Sequence, residues 1–159
     1  MRQFSLTMLL APDGLLPPAA DAAGRIGTYK PLTGAHRIFV VFHLNQGNAA
    51  TITLTPLQAK DTSGTGAKAI STAKIYVNEN VALGSGNFVQ ATDGVSYTTT
   101  AAIAEKIVVF ELDPSDAFDL VNNYATIAAQ TGASNAANIT SAELFVYGSY
   151  MGASGLGLD

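Results

Sequence analysis

Residues 37–44 read RIFVVFHL and residues 107–112 read IVVFEL. Both runs are rich in β-branched and aromatic residues, which suit a pleated surface, and both are short for a helix. A strand sends successive side chains to opposite faces. Ile38, Phe39, Val40, Val41 and Phe42, like Ile107, Val108, Val109 and Phe110, therefore place large apolar groups on two faces at once. TITLT at Thr51–Thr55 behaves differently, with Ile52 and Leu54 on one side and three threonines on the other. That alternation is the mark of an antiparallel strand with one wet face.

Further runs of the same kind follow along the chain. Phe4, Leu6, Met8 and Leu10 alternate with Ser5, Thr7 and Leu9, and strands are predicted at Ala73–Val77, Phe88–Ala91, Val95–Thr99, Tyr124–Gln130 and Ala142–Tyr150. Asn45-Gln46-Gly47-Asn48 reads as the turn of a hairpin joining the strands at 37–44 and 51–55. Thr92-Asp93-Gly94 reads as a second hairpin turn. Asp113-Pro114-Ser115-Asp116 has a capping Asp, a first-turn Pro and an acid facing the helix dipole, and predicts about two turns of helix before Asn122-Asn123. About nine short strands with turn signals between them predict an all-β fold, an antiparallel β-sandwich of jelly-roll type.

Residues 11–35 hold four of the six prolines, including Pro17-Pro18. Proline neither propagates a helix nor donates to a ladder, so residues 1–35 are expected to form a strand and an extended arm. An ordinary surface loop is the plainer reading. Leu15, Leu16, Ile26, Tyr29 and Leu32 give the segment apolar groups to bury, against a neighbouring surface if it is an arm. The sandwich is assigned to 36–150, and Gly-rich 151–159 is expected to be a flexible C-terminal tail. Removing 1–35 should on this reading leave a folded sandwich.

The chain has 159 residues, enough for one domain with a real core. Charged residues make up 13%, about half the ~25% of ordinary globular proteins, and their place is taken by Ala, Thr and Gly. A hydrophobic content of 48% excludes a disordered tail, and a net charge of −4 opposes binding driven by nucleic-acid phosphates. No apolar stretch reaches the ~18 residues of a membrane span. The first residues fit a signal peptide poorly, because Pro12 and Asp13 follow the apolar run at once. With no cysteine, there is neither a disulfide framework nor a thiolate metal site. The outward apolar groups are covered either by another part of the same chain or by a second subunit. The shortage of charge favours a homo-oligomer. The candidate interface residues are Leu15, Leu16, Tyr29, Phe39, Val41, Val108, Phe110 and Tyr150.

The sequence offers little catalytic or metal-binding chemistry. His36 and His43 are seven apart on one strand, hence on opposite faces, and cannot share a metal. Ser63–Lys68 (SGTGAK) superficially resembles a phosphate loop, but Lys68 is followed by Ala69 and no strong helix begins there. Asp113, Asp116 and Asp119 form the only acidic cluster. Calcium loops add backbone carbonyls and commonly a glycine, so helix capping explains Asp113 and Asp116 more economically. Asn138-Ile139-Thr140 is a glycosylation tripeptide that carries no weight without a secretory signal. There is no Trp to stack on a sugar, no G-x-S-x-G elbow and no paired nucleophile and base. Neither catalytic residue, metal nor cofactor is expected, and the chain does not read as an enzyme.

Four phrases of the second half carry a resemblance: AKIYVNEN at 73–80, TDGVSYTT at 92–99, EKIVVFELDPS at 105–115 and TGASNAANITSAELFVYGSY at 131–150. Together they resemble small capsid decoration, or cement, proteins of tailed double-stranded DNA bacteriophages. The resemblance covers about half the chain and consists of strand-and-turn phrases, so no individual functional residue is carried over. It implies a β-sandwich that docks on the outside of an expanded capsid, bridges major capsid protein subunits and is often trimeric. It also implies a virion location after synthesis in the host cytoplasm. The alternatives are a carbohydrate-binding or receptor-binding jelly roll, or another head-fibre or tail component.

Overall fold

The computed structural model describes residues 10–81 and 87–148. The strand expected from Phe4, and Tyr150 with the tail at 151–159, lie outside them. The described strands are β1 (Ala11–Ala20), β2 (Arg25–Ile26), β3 (Lys30–Pro31), β4 (Ala35–Gln46), β5 (Thr53–Ala59) and β6 (Lys68–Ala69). They continue with β7 (Lys74–Asn78), β8 (Val89–Gln90), β9 (Tyr97–Thr98), β10 (Ala104–Leu112), β11 (Thr126–Thr131) and β12 (Asn138–Gly148). A single-turn helix, α1 (Pro114–Ala117), follows β10.

These strands build two six-stranded antiparallel sheets packed as a sandwich. The first runs β1-β12-β4-β10-β7-β8. The second runs β2-β11-β5-β6, with β3 also on β11 and β9 also on β5. The two apolar runs of the sequence are the centre of the first sheet, as β4 and β10. They pair with each other so that Phe42 lies opposite Val108 and Val41 opposite Val109. Every second residue of β4 from Ile38 to Gln46 is buried. Across the pair, the Phe42 and Phe110 rings meet edge to face with centroids 5.6 Å apart, a favoured aromatic geometry. Ile52 and Leu54 from the TITLT run, with Ile127 and Ala129, close the core from the other side.

Parity within β10 corrects the sequence reading. Val108 and Phe110, expected at an interface, face inward and are 1% and 0% exposed. Ile107 and Val109 are the residues turned outward. Lys106 shares the inward side in spite of its charge and is itself 1% exposed, while Glu105 and Glu111 share the outward side.

Neither hairpin forms as expected. β4 and β5 belong to different sheets, because β12 and β10 already occupy both edges of β4. The chain crosses over at Gly47, where a Cβ would lie 2.6 Å from the Ala137 carbonyl oxygen. Asn138 clamps the crossover: its Oδ1 accepts from Asn48 N at 2.8 Å, and its Nδ2 donates to Ala50 O at 2.8 Å. Likewise β8 pairs with β7 in the first sheet and β9 with β5 in the second, so Thr92-Asp93-Gly94 joins the two layers.

Residues 11–31 contribute strands to the sandwich rather than an arm lying on a neighbour. β1 pairs along β12, with register shifts on either side of Leu16 that put both Leu15 and Leu16 into the core, at 1% and 4% exposure. Their burial removes them from any role at an exposed surface. Gly27 packs directly on the Leu15 carbonyl with no room for a Cβ, and Thr28 N donates to that carbonyl at 3.0 Å. Arg25 fixes the rest. Its guanidinium donates to the carbonyls of Pro17 (2.8 Å), Ala19 (2.9 Å) and Thr140 (2.6 Å), and it pairs with the fully buried Asp21 carboxylate at 3.0 Å. Asp21 also accepts from the Thr131 hydroxyl at 2.8 Å.

Candidate interaction face

Alternation along the strands gives the outer face of the first sheet its composition. In successive rows across β12, β4, β10 and β7 stand Phe145, Phe39, Glu111 and Lys74; Glu143, Val41, Val109 and Tyr76; Ser141, His43, Ile107 and Asn78. Ile139, Asn45 and Glu105 form the next row on the first three strands. Phe39, Val41, Ile107, Val109 and Phe145 are each half-buried, and Ile139 is 42% exposed. A wet antiparallel face is normally polar, and this one carries a continuous apolar stripe.

The outer side of the second sheet differs. By the same alternation Leu57, Ala59 and Ala128 point away from the core, yet they are 6%, 0% and 0% exposed within the chain. Close by, a Cβ on Gly64 would come 2.8 Å from the Tyr29 ring, and Tyr124 donates its hydroxyl to Gly66 O at 2.9 Å. The Lys68 ammonium sits 4.2 Å from the Tyr124 ring centre, where the ring's negative face attracts it.

The charges of the first sheet's outer face are unevenly placed. At one end Arg37 lies 3.5 Å from Glu111 and 3.7 Å from Asp113. Asp113 caps α1 by accepting from Ser115 N at 3.1 Å. Hydrogen bonds from Ser115, with Arg37 nearby, hold its carboxyl below the ordinary carboxylate range. Asp119 is engaged elsewhere, by Lys68 at 2.7 Å and by Asn122, so the three aspartates do not converge. Among the described residues no three His, Asp or Glu side chains gather as metal ligands. Toward the other end Glu143 and Glu105 are exposed, and among the described residues neither has a Lys or Arg partner.

At that end the face dips into a cleft of about 320 Å³ over the rows of His43 and Asn45, with Pro18 on the β1 side and Val81 on the β7 side. Beneath it lies a buried polar network. Lys106 Nζ contacts Glu79 Oε2 at 2.6 Å and donates to Thr100 O at 2.8 Å. Tyr97 donates to Glu79 Oε1 at 2.6 Å and Thr100 Oγ1 to Glu79 Oε2 at 2.7 Å. Burial opposes ionisation of Glu79, but these hydrogen bonds outweigh it and hold the carboxyl below its ordinary range. Burial, with the Glu79 carboxylate beside it, raises the Tyr97 phenol well above its usual value. Gln46 extends the network, donating to Thr100 O at 2.9 Å and accepting from Thr99 at 2.9 Å.

Of the eight residues proposed from sequence, Phe39 and Val41 share this face. Leu15, Leu16, Val108 and Phe110 lie in the core, Tyr29 lies on the second sheet's side, and Tyr150 is outside the described residues. The sequence reading missed Ile107, Val109, Phe145 and the carboxylates of Glu105 and Glu143. The signal for Phe145 was its shared parity with Glu143 in SAELFVY, one acid marking the outward side of β12.

The fold and this face define a β-sandwich protein with one apolar, acid-flanked sheet surface. Among the described residues no helix is long and apolar enough to cross a membrane. No protein family matches the chain, and no curated protein does. Among solved structures it is similar to SPBc2 prophage-derived protein YomS, at 8% identity over 86% of this chain and 92% of that one, with a TM-score of 0.48.

Proposed function

We propose that the chain is a structural protein of a tailed-phage particle that docks on the outer surface of the capsid and bridges major capsid protein subunits. The observation that carries this reading is the outer face of the first sheet. Half-buried Phe39, Val41, Val109 and Phe145 stand side by side there as an apolar patch flanked by Glu111, Lys74 and Glu143. Such a patch on a sandwich serves protein contact better than solvation. The chain's resemblance to capsid decoration proteins agrees with it. A carbohydrate-binding module is less well supported, because the cleft on this face is walled by Pro18, Val81, Ile107 and Ile139 and, among the described residues, carries no Trp, Tyr or Phe ring to stack on a sugar. A homotrimer, of about three times 16.4 kDa, is the assembly proposed for the docked form.

Co-sedimentation with expanded capsids of the phage that encodes the chain tests the proposal. The wild-type protein should pellet with capsids, and Val41→Asp and Val109→Asp should stay in the supernatant while keeping the wild-type circular dichroism spectrum. Folded variants that pellet as well as wild type would remove this face from the role.

A further inference from the structure

From the cleft at the His43 end of this face, we infer a receptor for a single cationic side chain, a lysine or arginine of the docked partner. The inference takes from the docking proposal only the identity of that partner. Pro18, Val81, Ile107 and Ile139 offer apolar walls, and long cationic side chains lay their methylene stems along such surfaces while the charged head stays polar. Glu105, Asn45 and Ser141 line the same cleft, and their side chains carry acceptor groups suited to that head: a carboxylate, an amide oxygen and a hydroxyl. Glu105 is exposed and, among the described residues, lacks a cation.

Among the described residues no cation of this face is placed to fill that role, Lys74 standing in the row of Glu111 at the far end. Lys106 is the nearest in sequence, but its ammonium points into the core and is held by Glu79 and Thr100. Arg37 stands eight residues along β4 from Asn45, roughly 26 Å at a strand's rise per residue. It is also engaged by Glu111 and Asp113. That separation exceeds the ~8 Å screening length of physiological salt, so Arg37 does not neutralise the cleft. Glu143, two residues along β12 from Ser141 and also exposed, adds a second negative charge on the approach. Apolar walls with a carboxylate at the end favour an aliphatic stem that ends in positive charge.

Titration of the isotope-labelled full chain with N-acetylarginine amide, followed by backbone amide NMR shifts, tests this without a capsid. N-acetylnorleucine amide is the uncharged control. The arginine compound should produce saturable shifts at Asn45, Glu105, Ile107 and Ser141, with an affinity in the range of about 1–10 mM. Removing the charge with Glu105→Gln should weaken that affinity roughly threefold to fivefold, the scale of one partly exposed ion pair. Ile139→Lys, which supplies the cleft with an ammonium of its own, should abolish the response. Each variant's spectrum reports its own folding. Equal responses to the two compounds, shifts scattered over other surfaces, or an unchanged affinity in Glu105→Gln would overturn the inference. Those outcomes leave capsid docking through Val41 and Val109 standing. A failure of the Val41→Asp and Val109→Asp sedimentation test would remove the docking role and not the arginine response.

Discussion

Removing the Glu79 carboxylate is the sharpest test of how the two sheets are locked at the cleft end. In Glu79→Ala the Lys106 ammonium, whose side chain is fully buried, keeps Thr100 O and Thr100 Oγ1 at 2.8 and 3.1 Å but loses its only counter-charge among the described residues. The hydroxyls of Tyr97 and Thr100 lose their acceptor at the same time. Breaking a buried pair from one side costs about 3–5 kcal/mol, and the partial exposure of Glu79 points to the lower end, about 3 kcal/mol. Against a total stability of ~5–15 kcal/mol this is large, and it corresponds to a fall in Tm of about 6–12 °C for a chain of this size. Lys106→Met behaves differently, because the charge and its need for a partner leave together while Glu79 keeps Tyr97 and Thr100; about 1 kcal/mol or less is expected. Urea unfolding at neutral pH, read with calorimetry, measures both. If Lys106→Met proves as damaging as Glu79→Ala, the unpaired buried ammonium is not the source of the loss. The pH profile gives a second reading. Because the folded carboxyl is held below its ordinary value, its contribution is fully present above the unfolded pKa and disappears as pH falls through the lower folded one. Wild type should therefore lose stability in acid faster than Glu79→Ala does.

One further variant and two pairs test the clamp at Arg25 and separate surface from core. Arg25→Ala strands the buried Asp21 carboxylate and frees three carbonyls, so about 3–5 kcal/mol should be lost in urea unfolding; a loss below about 1 kcal/mol would mean the clamp is not structural. Val108→Lys introduces a charge at a position 1% exposed and should prevent folding by circular dichroism. Val41→Lys, one face over and half-buried, should fold with a change of about 1 kcal/mol or less. Gly27→Ala drives a Cβ into the Leu15 carbonyl, whereas a Cβ on Gly14 meets nothing within 4 Å; thermal melting should show a large destabilisation for the first and a change of at most about 1 kcal/mol for the second.

The sandwich was legible because its strands are short, rich in β-branched residues and separated by turn residues, all of which are local signals. What local signals do not carry is pairing. Asn45–Asn48 has the composition of a hairpin turn, yet Asn138, some 90 residues away, holds that segment at the crossover between sheets. Strand parity failed in β10 for a related reason. In a run that is apolar at every position only the flanking residues hint at which side is wet, and there they disagree: Glu105 and Glu111 mark the outward side, whereas Lys106 faces inward because Glu79, 27 residues away in sequence, pairs with it. The prolines of 11–20 argued for an arm. They mark an edge strand instead, since the β1–β12 ladder has register shifts that absorb them, and Arg25 and Thr28 bond the carbonyls left over. The half of the candidate site that could be read, Phe39 and Val41, lies on β4, where alternate burial runs unbroken from Ile38 to Gln46.

The same edge restricts how the protein can associate. Strand addition needs a row of free N–H and C=O groups. On β1, Pro12, Pro17 and Pro18 have no N–H, and the carbonyls of Leu15, Pro17 and Ala19 are taken by Thr28 and Arg25. Contact is thereby shifted from that edge to the face, where side chains pack sheet on surface. The area available sets the strength of such a contact. Strands β12, β4 and β10 over nine residues each and β7 over its five, spaced about 4.8 Å apart, cover roughly 500 Å². That is less than the ~800 Å² each partner contributes to a standard stable interface. One copy of this face alone is therefore a weak binder. On the docking proposal, a capsid that offers the same site around each symmetry axis would compensate, because linked copies rebind at high effective concentration and can exceed the single affinity by about 10²–10⁴. A small apolar face, the cation cleft inferred above and the proposed trimer would form a consistent set: each contact would be modest, and retention on the proposed shell would come from their number.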